Sequence, residues 1–169
     1  LSDPTAYFAG ISSLLVDQSS THVVFTDRDA GTYSNKVNGG ALAKLNPDGQ
    51  QIRPFAITSD GERVLYTLFS SGGTVESGIY SIPIDGGDAM LLFKGIANEV
   101  SLSPDGKRVV YIYWQPDNGF QLFSLAVGGG TPIRLSLEGS YWVSTRIIIS
   151  PDSSRVVYVG CADSDAPWL

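Results

Sequence analysis

The sequence has one cysteine and one histidine among its 169 residues, and each scarcity removes a class of chemistry. With only Cys161, no disulfide can close within the chain. Cys161 and His22 together cannot assemble a zinc site of the usual nitrogen and sulfur type. Charge is also sparse: Asp, Glu, Lys and Arg make up 17% of the chain, against about 25% in an average soluble domain. Its balance is acidic, at −6, so the clustered Lys and Arg that follow a nucleic-acid backbone or dock on anionic lipid are missing, and no nucleic-acid partner is expected. No apolar run approaches the length of a membrane-spanning helix. The chain starts at Leu1 without the charged and apolar regions of a signal peptide, so any leader has been removed or does not belong to this sequence. A Gly-x-Ser-x-Gly elbow is missing too, since the nearest stretch, Gly10-Ile11-Ser12-Ser13-Leu14, has no closing glycine. No catalytic residue, metal site or cofactor is expected.

What the sequence does have is a repeat. Leu102-Ser103-Pro104-Asp105-Gly106-Lys107-Arg108-Val109-Val110-Tyr111 returns as Ile149-Ser150-Pro151-Asp152-Ser153-Ser154-Arg155-Val156-Val157-Tyr158. A looser copy runs from Thr58 to Tyr66 and a faded one from Val16 to Phe25. The marker positions Ser19, Asp60, Asp105 and Asp152 stand between 41 and 47 residues apart, a period of β-propeller blades. Pro, Asp and Gly supply a preset φ, a side chain that bonds its own backbone, and a positive φ, so each copy reads as strand, turn, strand. Val109 to Trp114 is apolar on both alternating faces, as in a strand covered on both sides.

The fold class expected is therefore all-β: a propeller of four-stranded antiparallel blades, about three and a half of them, in one domain over residues 1–169. The repeats are placed at about 11–54, 55–95, 96–137 and 138–169. In the third, Ile96 to Ser103 is the innermost strand, followed by Arg108 to Gln115, Phe120 to Val127 and Thr131 to Ser136. The second gives Gln51 to Thr58, Arg63 to Ser70, Ile79 to Ile84 and Ala89 to Lys94. The first gives Leu14 to Val16 and His22 to Thr26, a polar excursion from Asp27 to Gly40, a strand at Ala41 to Asn46, and a short fourth strand running into the next blade. The last repeat stops after Trp142 to Ser150 and Arg155 to Cys161. It is completed by residues 1–10, where Thr5 to Gly10 reads as a strand, or by another chain.

The Ser-Pro-Asp-Gly-Lys-Arg-Val-Val-Tyr copy, with Phe120-Gln121-Leu122-Phe123-Ser124-Leu125 and a glycine-rich turn before Thr131-Pro132-Ile133-Arg134-Leu135, resembles the propeller repeat of the TolB family. Related repeats occur in the propellers of tricorn-type and prolyl-oligopeptidase-type peptidases. The resemblance implies a binding platform or a filter over an attached enzyme, and a periplasmic or secreted location. Such propellers have six or more blades. Two readings follow: a non-enzymatic scaffold for protein or peptide that completes its ring as a homodimer through its first and last repeats, or a piece of the substrate-gating propeller of a peptidase whose hydrolase domain lies outside this chain.

Other features read as structural. His22 occupies the repeat position of Arg63, Arg108 and Arg155 and is expected at a solvent-facing rim, as those arginines are. Cys161 ends an apolar run and reads as a buried thiol with nothing basic beside it. Asp27-Arg28-Asp29-Ala30-Gly31 echoes a calcium loop, but Asn38 stands where the bidentate acid belongs, leaving a solvated polar loop. In a propeller, the loops from outermost to next innermost strand and from second to third strand share one face. The strand frame gathers Asn98, Glu99, Trp114, Gln115, Asp117, Tyr141 and Trp142 there, with the Asp27 to Gly40 excursion. Exposed Trp and Tyr near a channel mouth anchor partners, although Trp114 and Trp142, taken singly, read better as packing between blades. Trp168 reads as a bridge to another chain or as part of the unfinished blade.

Overall fold

One set of hydrogen bonds holds the turn in three of the four copies. The computed structural model describes residues 10–28, 31–70, 75–137 and 142–161. In it the Ser103 hydroxyl donates to Asp105 Oδ1 at 2.6 Å, and that oxygen also accepts the Lys107 amide at 3.1 Å. The Ser103 hydroxyl in turn accepts the Arg108 amide at 3.0 Å. Thr58, Asp60, Glu62 and Arg63 repeat the set, as do Ser150, Asp152, Ser154 and Arg155. The first copy keeps the bond with its partners exchanged: Asp17 stands where the others have Ser or Thr, and the Ser19 hydroxyl donates back to it. Asp17 Oδ1 then accepts the amides of Thr21 and His22, each at 2.7 Å.

Donors aimed at a carboxylate favour its charged form. The Ser150 hydroxyl, followed by the Ser154 amide and hydroxyl, holds Asp152 down at about 2. Ser19 chiefly lowers Asp17, Thr58 lowers Asp60, and Ser103 lowers Asp105. A carboxyl group depressed in the folded state contributes stability above its unfolded value of about 3.9, and loses it as pH falls through the folded value. These turns are expected to remain charged and closed at pH 4 and to weaken only below that. Ser150→Ala is expected to bring Asp152 back toward the ordinary carboxylate range, read by carbon-detected NMR titration. An unmoved curve would remove the hydroxyl as the cause.

All regular elements among the described residues are strands, arranged as antiparallel meanders. The first sheet holds β1 (Ile11–Val16), β2 (His22–Asp27), β3 (Gly31–Lys36) and β4 (Ala43–Lys44). The second holds β5 (Ile52–Ile57), β6 (Arg63–Leu68), β7 (Gly78–Pro83) and β8 (Met90–Lys94). The third holds β9 (Ala97–Leu102), β10 (Arg108–Gln115), β11 (Gly119–Ala126) and β12 (Ile133–Arg134). The last pairs β13 (Trp142–Ile149) with β14 (Val156–Cys161). This is the all-β, four-stranded blade expected from the repeat, with a partial final blade.

The first blade departs from expectation. The stretch read as a polar excursion contains strand β3, and Ala43–Lys44 is the fourth strand, not the third. Polarity hid β3 because its buried positions are Thr32 and Ser34. Thr32 is satisfied by the Thr26 hydroxyl at 3.0 Å and its amide by Asn46 Oδ1 at 2.8 Å. A buried strand whose polar groups are all bonded need not look apolar.

The chain forms two compact units: one takes the chain up to Val75 together with Tyr80–Met90, the other Glu76–Ile79 and the chain from Leu91. In the first, Val24 of β2 shares a core with Val64, Tyr66 and Leu68 of β6. In the second, Val110, Ile112 and Leu122 of the third sheet pack with Val143, Val156 and Tyr158 of the last. The opposite face of the third sheet brings Tyr111 to Phe93 of β8, with ring centroids 4.7 Å apart. Counted from His22, Arg63, Arg108 and Arg155, a sheet thus offers its second following residue to the next sheet and its first and third to the previous one.

That rule leaves two faces without a partner sheet among the described residues. On the first sheet, Val16 and Leu14 lie opposite Val23 and Phe25, facing where a preceding sheet belongs. On the last, Ile148 lies opposite Val157, facing where a following sheet belongs. Ile11, Leu14, Val16, Ile148, Val157 and Val159 are each between 55% and 66% exposed. The first strand of each sheet also slips register near its start, at Ile11/Ser13, Pro54/Ala56, Asn98/Val100 and Val143/Ile147. Ser12, Phe55 and Glu99 are the extra residues of the first three bulges.

Candidate binding face

In each four-stranded sheet, the connection from second to third strand and the entry to the first strand lie at the same end. In the third sheet this end holds Asn98, paired with Ile112, and Glu99, unpaired in the bulge at φ 35°. Trp114 lies opposite Phe120 near the end of β10 and is 49% exposed, so it does not pack away between blades. Gln115 closes the ladder opposite Gly119, and Asp117 is exposed in the turn between them. The structure therefore brings Asn98, Glu99, Trp114, Gln115 and Asp117 to one end of one sheet. Trp142 opens β13 opposite Cys161. Tyr141 and Trp168 lie outside the described residues, as do residues 5–9.

Sequence reasoning missed two apolar side chains at this end. Ile96 and Leu137, on the connections into β9 and β13, are exposed. Their signal was their place beside the predicted strand boundaries, which a reading focused on aromatics passed over.

In the first unit the same end of the first two sheets forms a cleft of about 480 Å³. Arg28, Arg53, Gln51 and Phe69 line it, over a floor that includes Thr26 and Asp27. The wall is fixed by Asn46, which accepts the Thr32 amide at 2.8 Å and donates to the Gln50 carbonyl at 2.8 Å. Gly31 fits against it only because it has no side chain: at φ 111°, a Cβ would stand 2.5 Å from Asn46 Oδ1. Asp27 is buried and accepts the Gly10 amide at 3.3 Å, so it belongs to the end of a strand and not to a solvated loop. An adjoining depression of about 320 Å³ adds Lys44.

His22 is not at the solvent rim. Its side chain is 16% exposed, with Nδ1 3.0 Å from the Thr21 hydroxyl and Nε2 3.7 Å from Asp85 Oδ1. Two of the three equivalent arginines fold back in the same way, because the neighbouring strand offers acceptors there: Arg63 donates to Ser81 Oγ and Arg108 to Ser124 Oγ, both at 2.6 Å, whereas Arg155 is exposed. Cys161 is half-buried, not buried, on a sheet that has two strands among the described residues. No three His, Cys, Asp or Glu side chains gather among the described residues.

No family model matches the sequence. Solved structures match its fold. A TolB-type structure from Agrobacterium tumefaciens aligns over 89% of this chain with a TM-score of 0.61 and 20% identity, and TolB from Acinetobacter baumannii over 92% with 0.65 and 18%. The tricorn protease aligns over 89% with 0.64 and 12%. The chain spans 55%, 39% and 15% of these three structures, respectively. In fold, the chain is a partial β-propeller similar to those of the TolB structures.

Proposed function

We propose that the chain is a non-enzymatic propeller scaffold for protein or peptide, which completes its ring by joining a second copy of itself. The observation that carries the reading is the pair of exposed apolar rows, Ile11, Leu14 and Val16 on the first sheet and Ile148, Val157 and Val159 on the last, that have no partner sheet among the described residues. Contiguous exposed apolar patches beyond a few hundred Å² are rare on monomers. The face with Ile11, Leu14 and Val16 is of the kind that Val64 and Tyr66 bury against Val24. The face with Val157 is of the kind that Val110 buries against Val156 and Tyr158. Each is thus the complement of the other, and a head-to-tail pair of copies closes both.

The binding role is supported by the exposed Ile96, Trp114 and Leu137 on the connections, with Asn98, Glu99 and Asp117 beside Trp114. A structural role for His22 is supported by its enclosure against Thr21 and Asp85. No helix among the described residues is long and apolar enough to cross a membrane. A periplasmic or secreted location belongs to the same reading through the TolB resemblance.

Light scattering coupled to size exclusion, across a dilution series, tests the reading. The expected mass is twice the 18.0 kDa of one chain. A persistent monomer would overturn self-association and favour the second reading, a piece of a peptidase's gating propeller, which the 15% coverage of the tricorn protease supports. In that case the surrounding coding sequence would hold further Ser-Pro-Asp-Gly copies and a nucleophile elbow.

A further inference from the structure

Two arginines are left over by the fold and open onto the same cleft. Arg63 and Arg108 bond Ser81 and Ser124, and Arg134 donates to the Leu137 carbonyl at 2.8 Å, while Arg155 is exposed and does not line the cleft. Arg28 and Arg53 have no hydrogen-bond acceptor among the described residues, and both line the cleft of the first unit. Arg53 lies over the ring of Phe69, 5.7 Å from its centroid, and Phe69 is itself exposed. Apart from the exposed Gln51, the other polar side chains of the cleft are engaged. Thr26 and Thr32 share a hydroxyl pair at 3.0 Å, the Ser12 hydroxyl donates to the Thr26 carbonyl at 3.3 Å, and Asp27 accepts the Gly10 amide. What remains is a pair of planar cationic forks, with the Gln51 amide, beside an apolar ring.

We propose that this cleft binds a carboxylate of a peptide partner between Arg28 and Arg53, with the adjoining apolar side chain laid on Phe69. The proposal rests on the protein- or peptide-binding reading above and names the chemistry recognised. Guanidinium groups hold carboxylates and phosphates through paired, charge-assisted hydrogen bonds. Charge decides between them. Among the described residues the lining carries two cations against the one carboxylate of Asp27, a balance suited to one negative charge. Neighbouring Lys44 is already paired with Asp48 at 2.6 Å. The acidic chain repels polyanions at longer range, which disfavours a phosphorylated or nucleic-acid ligand. An apolar surface beside the forks suits a peptide and has no use for a bare inorganic anion.

The test is a nitrogen-15 NMR titration of the whole chain with N-acetyl-phenylalanine, its uncharged amide and inorganic phosphate. N-acetyl-phenylalanine is expected to shift the amides of Gly31, Thr32 and Arg53 saturably, and more weakly as salt is raised. Arg28→Gln with Arg53→Gln should weaken it by about tenfold or more, and Phe69→Ala should also weaken it. All three side chains are exposed, so unfolding is not expected; should the double variant fail to fold, Phe69→Ala reads the same cleft. Equal binding of the amide would overturn carboxylate recognition while leaving peptide binding standing. Tighter binding of phosphate at the same amides would overturn the choice of ligand. No saturable shift, or one unchanged in the variants, would remove the site, while the mass measurement still decides self-association separately.

Discussion

The double variant Leu14→Glu/Val159→Glu is expected to run as a single chain of 18.0 kDa where the unaltered chain runs as two. Leu14 lies on the face of the first sheet that has no preceding partner among the described residues, and Val159 on the face of the last that has no following one among them. Both side chains meet solvent in the separate chain, so glutamate there leaves each chain's own core untouched. In the closed pair each would bring a carboxylate into an apolar contact, at an effective cost of several kcal/mol. Since every 1.4 kcal/mol is about tenfold in dissociation constant, association should weaken by at least about a hundredfold. Leu137→Glu, on a connection at the end of a sheet, serves as the control and should leave the mass unchanged. A double variant that still pairs would place the contact elsewhere.

The largest loss of stability from one side chain is expected of Leu122→Ala. Leu122 is fully buried on β11, in the core that includes Val110, Ile112 and Val143. Truncating such a residue removes transfer free energy and leaves a cavity, costing about 3 to 5 kcal/mol against a total of about 5 to 15 for a typical domain. The last sheet has only two strands among the described residues, and a two-stranded hairpin is barely stable alone. Its amides on β13 and β14 should therefore lose hydrogen-exchange protection before those of β10. A stability from urea unfolding lowered by less than about 1 kcal/mol would show that the packing of the third sheet on the last is not what holds this unit.

Much of the fold was legible because one local device, the Ser-Pro-Asp-Gly turn, recurs with its hydrogen bonds written into residue types. The third sheet was placed almost residue by residue for that reason. In the first sheet two signals failed together: the turn has Asp17 and Ser19 in exchanged places, and the buried residues of β3 are hydroxyl-bearing. An apolar alternation cannot reveal a strand whose buried groups are satisfied by one another. His22, Arg63 and Arg108 were placed at the rim because charge suggests solvent, whereas Ser81 and Ser124 on neighbouring strands draw the two arginines back. The end of the third sheet that gathers Asn98, Glu99, Trp114 and Asp117 could be read from strand order alone. The cleft of the first unit could not, since Arg28, Arg53 and Phe69 come from three different connections or strand ends and meet only after folding.

The bulges at the start of the innermost strands bear on how such a protein acquires new partners. Ser12, Phe55 and Glu99 stand outside the pairing ladder, so exchanging their side chains leaves the register of the neighbouring strand alone. Under the proposed binding role they are positions open to change one blade at a time, and a library randomised there should yield folded variants far more often than one randomised at their paired neighbours.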